Sequence, residues 1–483
     1  MESEEGHAGD HSIEAMNENR KKIVILGAGA AGLSAAWKLL REDPRLHVVL
    51  IERDPLPGGL AKSISWKGYA LDLGPHRFYT EIPEVKQFIK SFCEERMIQV
   101  TRASRMYLNG RYIPYPIKPL PTFQALGLSN TLSFSLSALR VLWNKQSDAE
   151  SYEDYVIGYY GEKLYRRIFQ PYAEKVWGIP AAQITAETAR VRLRGENIWH
   201  SLKDGLLSKH ETYVAKFLYP PGGIGDIPQQ FAQEIIRDGG EIKINHEVTG
   251  VSLNDGRVHE VEVSGPQGVQ KLACDILINT APLPQFAELM RPVPPADILS
   301  ASASLHYRAI TLLYLQYDED LNINDTWLYF PEEHVPFSRI YVPDNFAPHK
   351  KQPGKTCLCV EFPCDVESDL WRMDAFQLAD LADRILAPSG LIHRRSIDAL
   401  VVRIKEGYPL YEIGYEHRVN KTLEYIRSMG NCLTTGRQGL FRHNNLDQSL
   451  QMGLQVAEHV LEQKDSDSWY DNIDRYKDYR IVD

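Results

Sequence analysis

The chain has 483 residues, enough for two or three domains with their own cores; apolar residues make up 43% and charged residues 24% of it. Its formal net charge of −10 argues against broad nucleic-acid binding, which needs a basic surface, although a few arginines in a pocket could still hold an anionic small ligand. No stretch reaches the roughly 18 consecutive apolar residues of a membrane span, and the acidic N-terminus does not resemble a signal peptide. The cytoplasm is the simplest location. Six scattered cysteines do not suggest a disulfide framework; Cys357, Cys359 and Cys364 lack common zinc spacing and read as buried thiols on a strand.

In chain order, residues 1–20 are polar and acidic and are expected to form a disordered tail. Residues 21–26 read as a buried strand, Gly27-Ala28-Gly29-Ala30-Ala31-Gly32 as a turn, and residues 33–41 as a helix of small and apolar residues. A second strand, residues 47–52, ends in Glu52 and completes a βαβ unit. Each glycine has a physical role in a dinucleotide site. Gly27 permits a tight turn, Gly29 lets backbone approach a pyrophosphate, and Gly32 lets helix and strand pack closely. The helix start then offers Ala30 and Ala31 amides and a partial positive charge. Glu52 falls where an acid accepts bonds from ribose hydroxyls. The flexible pair Gly58-Gly59 directly after this unit suggests FAD rather than a nicotinamide nucleotide.

Further along, residues 241–245 and 274–280 read as strands of the same layered domain, with hairpin-like strands between them. Residues 120–210 carry helical spacing and few turn signals, and residues 305–405 alternate as a second sheet would. The expected fold is α/β. A discontinuous Rossmann-like FAD-binding domain (21–100, 220–300 and 405–465) carries an inserted helical region (120–210). A substrate-side antiparallel sheet (101–119 with 301–404) and a C-terminal tail (466–483) complete it.

The segments 73–80, 112–116, 169–180, 327–339, 407–409 and 436–449 add more selective signals. With the glycine turn, they make the chain resemble the amine-oxidase and protoporphyrinogen-oxidase-like flavoproteins, and within them the UDP-galactopyranose mutases, from about residue 21 to about residue 465. The resemblance implies an FAD site of Gly27, Gly29, Ala30, Ala31, Gly32, Glu52, Arg53, Gly59, Leu60, Gly74, His76, Gly436, Arg437, Asn445, Leu446 and Ser449. It places His76 beside the flavin ring and makes Arg192 and Arg339 catalytic-site arginines. Tyr329, Tyr408 and His443 fall at positions that contact substrate.

The implied reaction is pyranose–furanose isomerisation of a nucleoside diphosphate sugar on reduced FAD, through a flavin N5–sugar adduct, with NAD(P)H as a candidate reductant. Two planar guanidinium forks suit a diphosphate of about two negative charges, and tyrosines add donors without adding charge. The chain departs from the mutase pattern at His443, where those proteins carry tyrosine, and at Asn444-Asn445. These departures keep open an FAD-dependent oxidoreductase that removes a hydride from a small molecule. A non-catalytic flavin scaffold finds no support in the residues. Neither a Gly-x-Ser-x-Gly elbow nor a His-Glu-x-x-His helix occurs. The sequence is compatible with either a monomer or an oligomer.

Overall fold

The computed structural model describes residues 20–92, 97–115, 149–193 and 216–481. The expected N-terminal tail lies outside these residues except for Arg20, as do residues 116–148 and 194–215, which take in about half of the expected helical insertion.

A five-stranded parallel sheet forms the nucleotide layer, in the order Cys432–Thr434, Ile276–Asn279, Lys22–Leu26, His47–Ile51 and Glu241–Lys243. Its central strands are apolar at successive positions because both faces are covered; Ile23 through Leu26 and Val48 through Ile51 are all buried. The helix Ala30–Glu42 follows the first strand and packs against Leu446–Leu461 from the far end of the chain. Small residues permit that approach: a Cβ on Gly453 would lie 2.1 Å from the Ala31 carbonyl oxygen, and Ser34 Oγ donates to the Leu450 carbonyl at 2.9 Å. A meander of Glu247–Asn254, Arg257–Gly265 and Gly268–Ala273, edged by Met290–Arg291, forms a second sheet.

The third sheet has seven strands, in the order Asp398–Pro409, Tyr307–Tyr317, Thr356–Cys364, Arg339–Tyr341, Trp327–Tyr329, Ser104–Leu108 and Arg111–Pro114. It is antiparallel except where Trp327–Tyr329 runs parallel to Ser104–Leu108, a departure from the purely antiparallel expectation. It also extends to Pro409, past the expected boundary at 404. Cys357 and Cys359 lie fully buried on its Thr356–Cys364 strand.

Alternation assigns the two faces of this sheet. Leu313, Leu328, Ile340 and Val360 turn into an apolar core with Leu378, Ala382 and Leu386 of the helix Ala375–Leu386. Their neighbours along each strand turn the opposite way. Among the described residues of the helical region are Tyr152–Tyr160, a π turn at Tyr165–Phe169, Gln170–Trp177 and Ala186–Arg190.

The C-terminal residues are not a tail. Asp465 caps the helix Ser466–Tyr470, Trp469 is buried with its Nε1 donating to the Thr434 carbonyl at 3.0 Å, and a 3₁₀ segment Ile473–Asp478 follows. Aromatic burial against the edge of the nucleotide sheet holds in place the segment expected as a C-terminal tail.

Candidate active site

One cavity of about 1330 Å³ runs between the nucleotide layer, the seven-stranded sheet and the helical region. It exceeds the roughly 300–1,000 Å³ of a single small-ligand site and has room for a dinucleotide and a second molecule.

At the nucleotide end the three glycines have distinct surroundings. Gly27 has φ +96°, and a Cβ there would meet Thr280 Oγ1 at 2.6 Å. A Cβ on Gly32 would lie 2.1 Å from the Gly27 carbonyl oxygen, which makes this glycine a packing requirement. A Cβ on Gly29 would find only Gly59 Cα, at 4.0 Å, so the protein itself does not demand glycine there. The turns are joined by a bridge between Gly29 and Gly58. The helix Ala30–Glu42 begins with no side-chain cap and no acid in its first turn, which leaves its amides and positive dipole end for an anion.

Glu52 is buried at the cavity wall; its two carboxylate oxygens accept from Ala28 N and Asp54 N, each at 2.9 Å. Each keeps a second lone pair for a ribose hydroxyl. Arg53 is half exposed and pairs with Glu406 at 3.3 Å.

Among the buried polar atoms of cavity-lining residues that have no protein partner among the described residues are His76 Nδ1, Arg437 Nε and Gln438 Oε1. Buried polar groups are rarely left so, and a flat ring with polar edges, such as a flavin, fits them. His76 sits on a loop turned at Gly74 (φ +114°), its N–H donating to the Gly74 carbonyl at 2.8 Å. Burial, with Arg437 and Arg339 nearby, pushes the imidazole down to about 4, so it is neutral at physiological pH. A second turn places Gly436 against Ala31; a Cβ on Gly436 would lie 2.8 Å from the Ala31 Cβ. Arg437 Nη2 donates to the Gly407 carbonyl at 2.8 Å. Asn445 N donates to Gln448 Oε1 at 2.8 Å at the start of the Leu446–Leu461 helix; Leu446 and Ser449 line the same wall. Leu60 lines it from the first turn.

The other end is built from one row of the seven-stranded sheet. Tyr329 pairs with Arg339, and Arg339 with Glu361, across three strands. Paired residues share a face, so all three side chains stand on the side opposite the apolar core. Arg339 grips Glu361 with two bonds, Nε to Oε2 at 2.6 Å and Nη2 to Oε1 at 3.1 Å. Tyr408 OH donates to the same Glu361 Oε1 at 3.3 Å. Its ring stacks on His443 with centroids 5.1 Å apart and lies under Arg437 at 5.3 Å.

Arg192 approaches from the helical region. Its Nη2 is 3.0 Å from His443 Nε2 and 3.2 Å from Nδ1, and its guanidinium lies 4.9 Å over the Trp177 ring. Burial first, then Arg192 and Arg437, hold His443 well below its ordinary value. The two arginines are thus linked through one run of contacting side chains: Arg192, His443, Tyr408, Glu361, Arg339. Tyr329 packs on Tyr115 at 4.6 Å and accepts from Trp327 Nε1 at 2.9 Å.

Sequence reasoning did not single out Glu361, Tyr172, Trp177 or Lys175. Glu361 had a signal, a lone carboxylate in the otherwise apolar strand Thr356–Cys364. Lys175 had none. Its buried amine donates to the carbonyls of Phe330 (2.6 Å) and Glu332 (2.7 Å) and ties the Gln170–Trp177 helix to the loop before Arg339. Burial lowers that amine to about 7.

An uncapped glycine turn, an acid at the end of the second strand and unpartnered polar atoms around a second, neighbouring space define a flavin-dependent enzyme of the two-layer dinucleotide-binding class. The chain belongs to the flavin containing amine oxidoreductase family, whose model matches residues 30–390. It is 21% identical over 471 residues to the chloroplastic protoporphyrinogen oxidase of Oryza sativa subsp. japonica, covering 89% of this chain and 85% of that protein. Over 178 residues it is 24% identical to a probable UDP-galactopyranose mutase of Klebsiella pneumoniae, covering 35% and 44% of the two chains. The crystal structure of reduced UDP-galactopyranose mutase superposes with a TM-score of 0.79 at 21% identity, covering 92% of this chain and 94% of that one; this establishes a shared fold. Among the described residues no helix is long and apolar enough to cross a membrane.

Proposed function

We propose that the protein is an FAD-dependent, mutase-like isomerase of a nucleoside diphosphate sugar. The supporting observation is the placement of Arg192, Arg339 and Arg437 around one cavity end that also holds His76 and Tyr408. Three guanidinium groups around a single tyrosine suit a dianionic group better than an apolar substrate.

FAD would be held by the amides of Gly29, Ala30 and Ala31, by Glu52 and Arg53, by the Gly59-Leu60 turn and Gly74, and by Gly436, Arg437, Asn445, Leu446 and Ser449. When bound in reduced form, the flavin supplies a nucleophile for an anomeric carbon. Arg192 and Arg339 would bind the diphosphate and stabilise the charge that grows on it as it leaves. Arg339 has two of its nitrogens committed to Glu361, so its Nη1 is left for the ligand. Tyr329 and Tyr408 would orient the phosphates. His76, held neutral by burial, would offer its unpartnered Nδ1 without adding charge next to the ring.

A second reading is a net oxidoreductase. Glu361 among the arginines and His443 at a mutase tyrosine position favour it, since both change the balance of the anionic end. Electron accounting separates the two. Anaerobic, chemically reduced protein incubated with UDP-galactopyranose should yield a furanose product with no oxidant consumed. Oxygen uptake stoichiometric with product, and no turnover without an acceptor, would replace the isomerase reading by the oxidoreductase one.

A further inference from the structure

The last residues of the described chain run along the helix Leu446–Leu461 and end at the turn that carries Arg192. Three glutamines on that helix, Gln448, Gln451 and Gln455, are spaced i, i+3, i+7 and share a face. Each is bonded to the C-terminal segment. Tyr476 OH donates to Gln455 Oε1 at 2.9 Å, Tyr479 OH to Gln451 Oε1 at 2.6 Å, and Gln448 Nε2 to the Arg480 carbonyl at 2.8 Å. One residue on, Ile481 N donates to the Val191 carbonyl at 3.1 Å. Val191 precedes Arg192 and follows the five-residue helix Ala186–Arg190. The other backbone bonds at this point, Val191 N to the Glu187 carbonyl at 3.0 Å and Arg192 N and Leu193 N to the Ala189 carbonyl at 3.1 and 2.6 Å, are local to the turn. Residues 478–481 also form part of the cavity wall.

We propose that this C-terminal strap is a positioning element of the substrate site, which holds the Val191–Arg192 turn against the cofactor-binding helix and so sets where the Arg192 guanidinium meets the ligand. The proposal deepens the nucleoside diphosphate reading and rests on it for its ligand. The geometry supports a transmitted effect. The turn's own backbone bonds all close within residues 187–193, so among the described residues the Ile481 donor is the backbone–backbone bond that fixes residues 191–193 relative to another element. The strap ties that turn to the helix whose first residues, Asn445 and Leu446, line the flavin end. Cofactor and phosphate ends are thereby held at a set separation by a row of side-chain bonds.

The test uses five variants of the holoprotein: a chain ending at Tyr479, Ile481→Pro, Arg480→Ala, Arg192→Ala, and Arg192→Ala in the chain ending at Tyr479. Ile481→Pro removes the donor to Val191 and with it a buried side chain, whereas Arg480→Ala keeps the strap backbone while removing the side-chain charge. Hydrogen exchange of the peptide 186–193 reports the turn without any ligand. UDP titration followed by flavin absorbance reports the site. The chain ending at Tyr479 and Ile481→Pro should retain flavin, lose exchange protection in 186–193, and bind UDP about tenfold more weakly, the scale of one charge-assisted bond. In the Arg192→Ala background the same shortening should change UDP affinity by less than about twofold, because the element it positions is gone.

Unchanged exchange in 186–193 would overturn the proposal. So would an equal loss of affinity in both backgrounds, or full reproduction of the loss by Arg480→Ala, which would make the effect one of direct charge. If the unaltered protein does not bind UDP, the nucleotide reading fails, and the exchange experiment still decides the strap.

Discussion

A guanidinium enclosed by protein is costly without a counter-ion, and Arg339 has one in Glu361, buried and bound through two oxygens. Removing only one partner leaves the other charge stranded. Glu361→Ala is expected to destabilise the protein by about 3 kcal/mol, and the double variant Glu361→Ala with Arg339→Met should recover a large part of that. Chemical denaturation midpoints of the three proteins check it; a double variant no more stable than the single one would mean the pair does not share its energy in this way. At this scale the sequence was legible where chemistry is local. The glycine turn and Glu52 could be named from their neighbours along the chain, and Arg192 and Arg339 from the resemblance of the segments around them. The bond between Arg339 and Glu361 could not, because it depends on which strands lie side by side and in what register. His443 was legible as a departure, but its contact with Arg192, 251 positions away, was not.

Among the elements, the first helix and its turn separate two kinds of glycine. Gly32 faces the Gly27 carbonyl and has no room for a methyl group, whereas Gly29 has room in the protein alone. Gly29→Ala should therefore fold normally and lose flavin during purification, while Gly32→Ala should lose folded yield itself. Absorbance at the flavin band, set beside the circular dichroism of both variants, tests this. A yellow Gly29→Ala protein would show that nothing approaches that backbone. The parallel sheet was legible as uninterrupted apolar strands. The seven-stranded sheet was legible as alternation, but its one parallel pair was not, since alternation is the same in both directions. The C-terminal helix was missed because its burial comes from two aromatic residues, Trp469 and Tyr470, in a polar stretch.

Across the whole molecule, Asp72 joins the layers. Its Oδ1 accepts from Ser63 Oγ at 2.5 Å and Ile224 N at 3.0 Å, its Oδ2 from Tyr219 OH at 2.7 Å, and its carbonyl from Tyr341 OH of the seven-stranded sheet at 2.6 Å. Burial pushes its carboxyl up to about 7 against these bonds. The folded chain then holds a proton that the unfolded chain, with an ordinary value near 3.8, gives up. This contribution to stability is full below that ordinary value and is lost as pH rises towards 7. Asp72→Asn keeps the site neutral at every pH, so its stability relative to the parent should improve between pH 4 and 7 by up to about 1.4 kcal/mol per unit. Denaturation curves across that range measure it, and a constant offset would show that Asp72 is ionised in the fold. The discontinuous domain was readable from strand-like segments on both sides of the helically spaced region, but the network at Asp72, which binds its pieces together, spans residues 63 to 341 and left no local mark.

The two glycine turns that meet at Ala31 and Gly436 stand some four hundred positions apart, close to opposite ends of the described chain. During synthesis the first emerges some four hundred residues before the second. A ribosome-bound chain therefore displays half a cradle over that whole interval, and cofactor capture waits for the second turn. Colour in this protein would thus act as a built-in record that translation has passed the Gly436 turn.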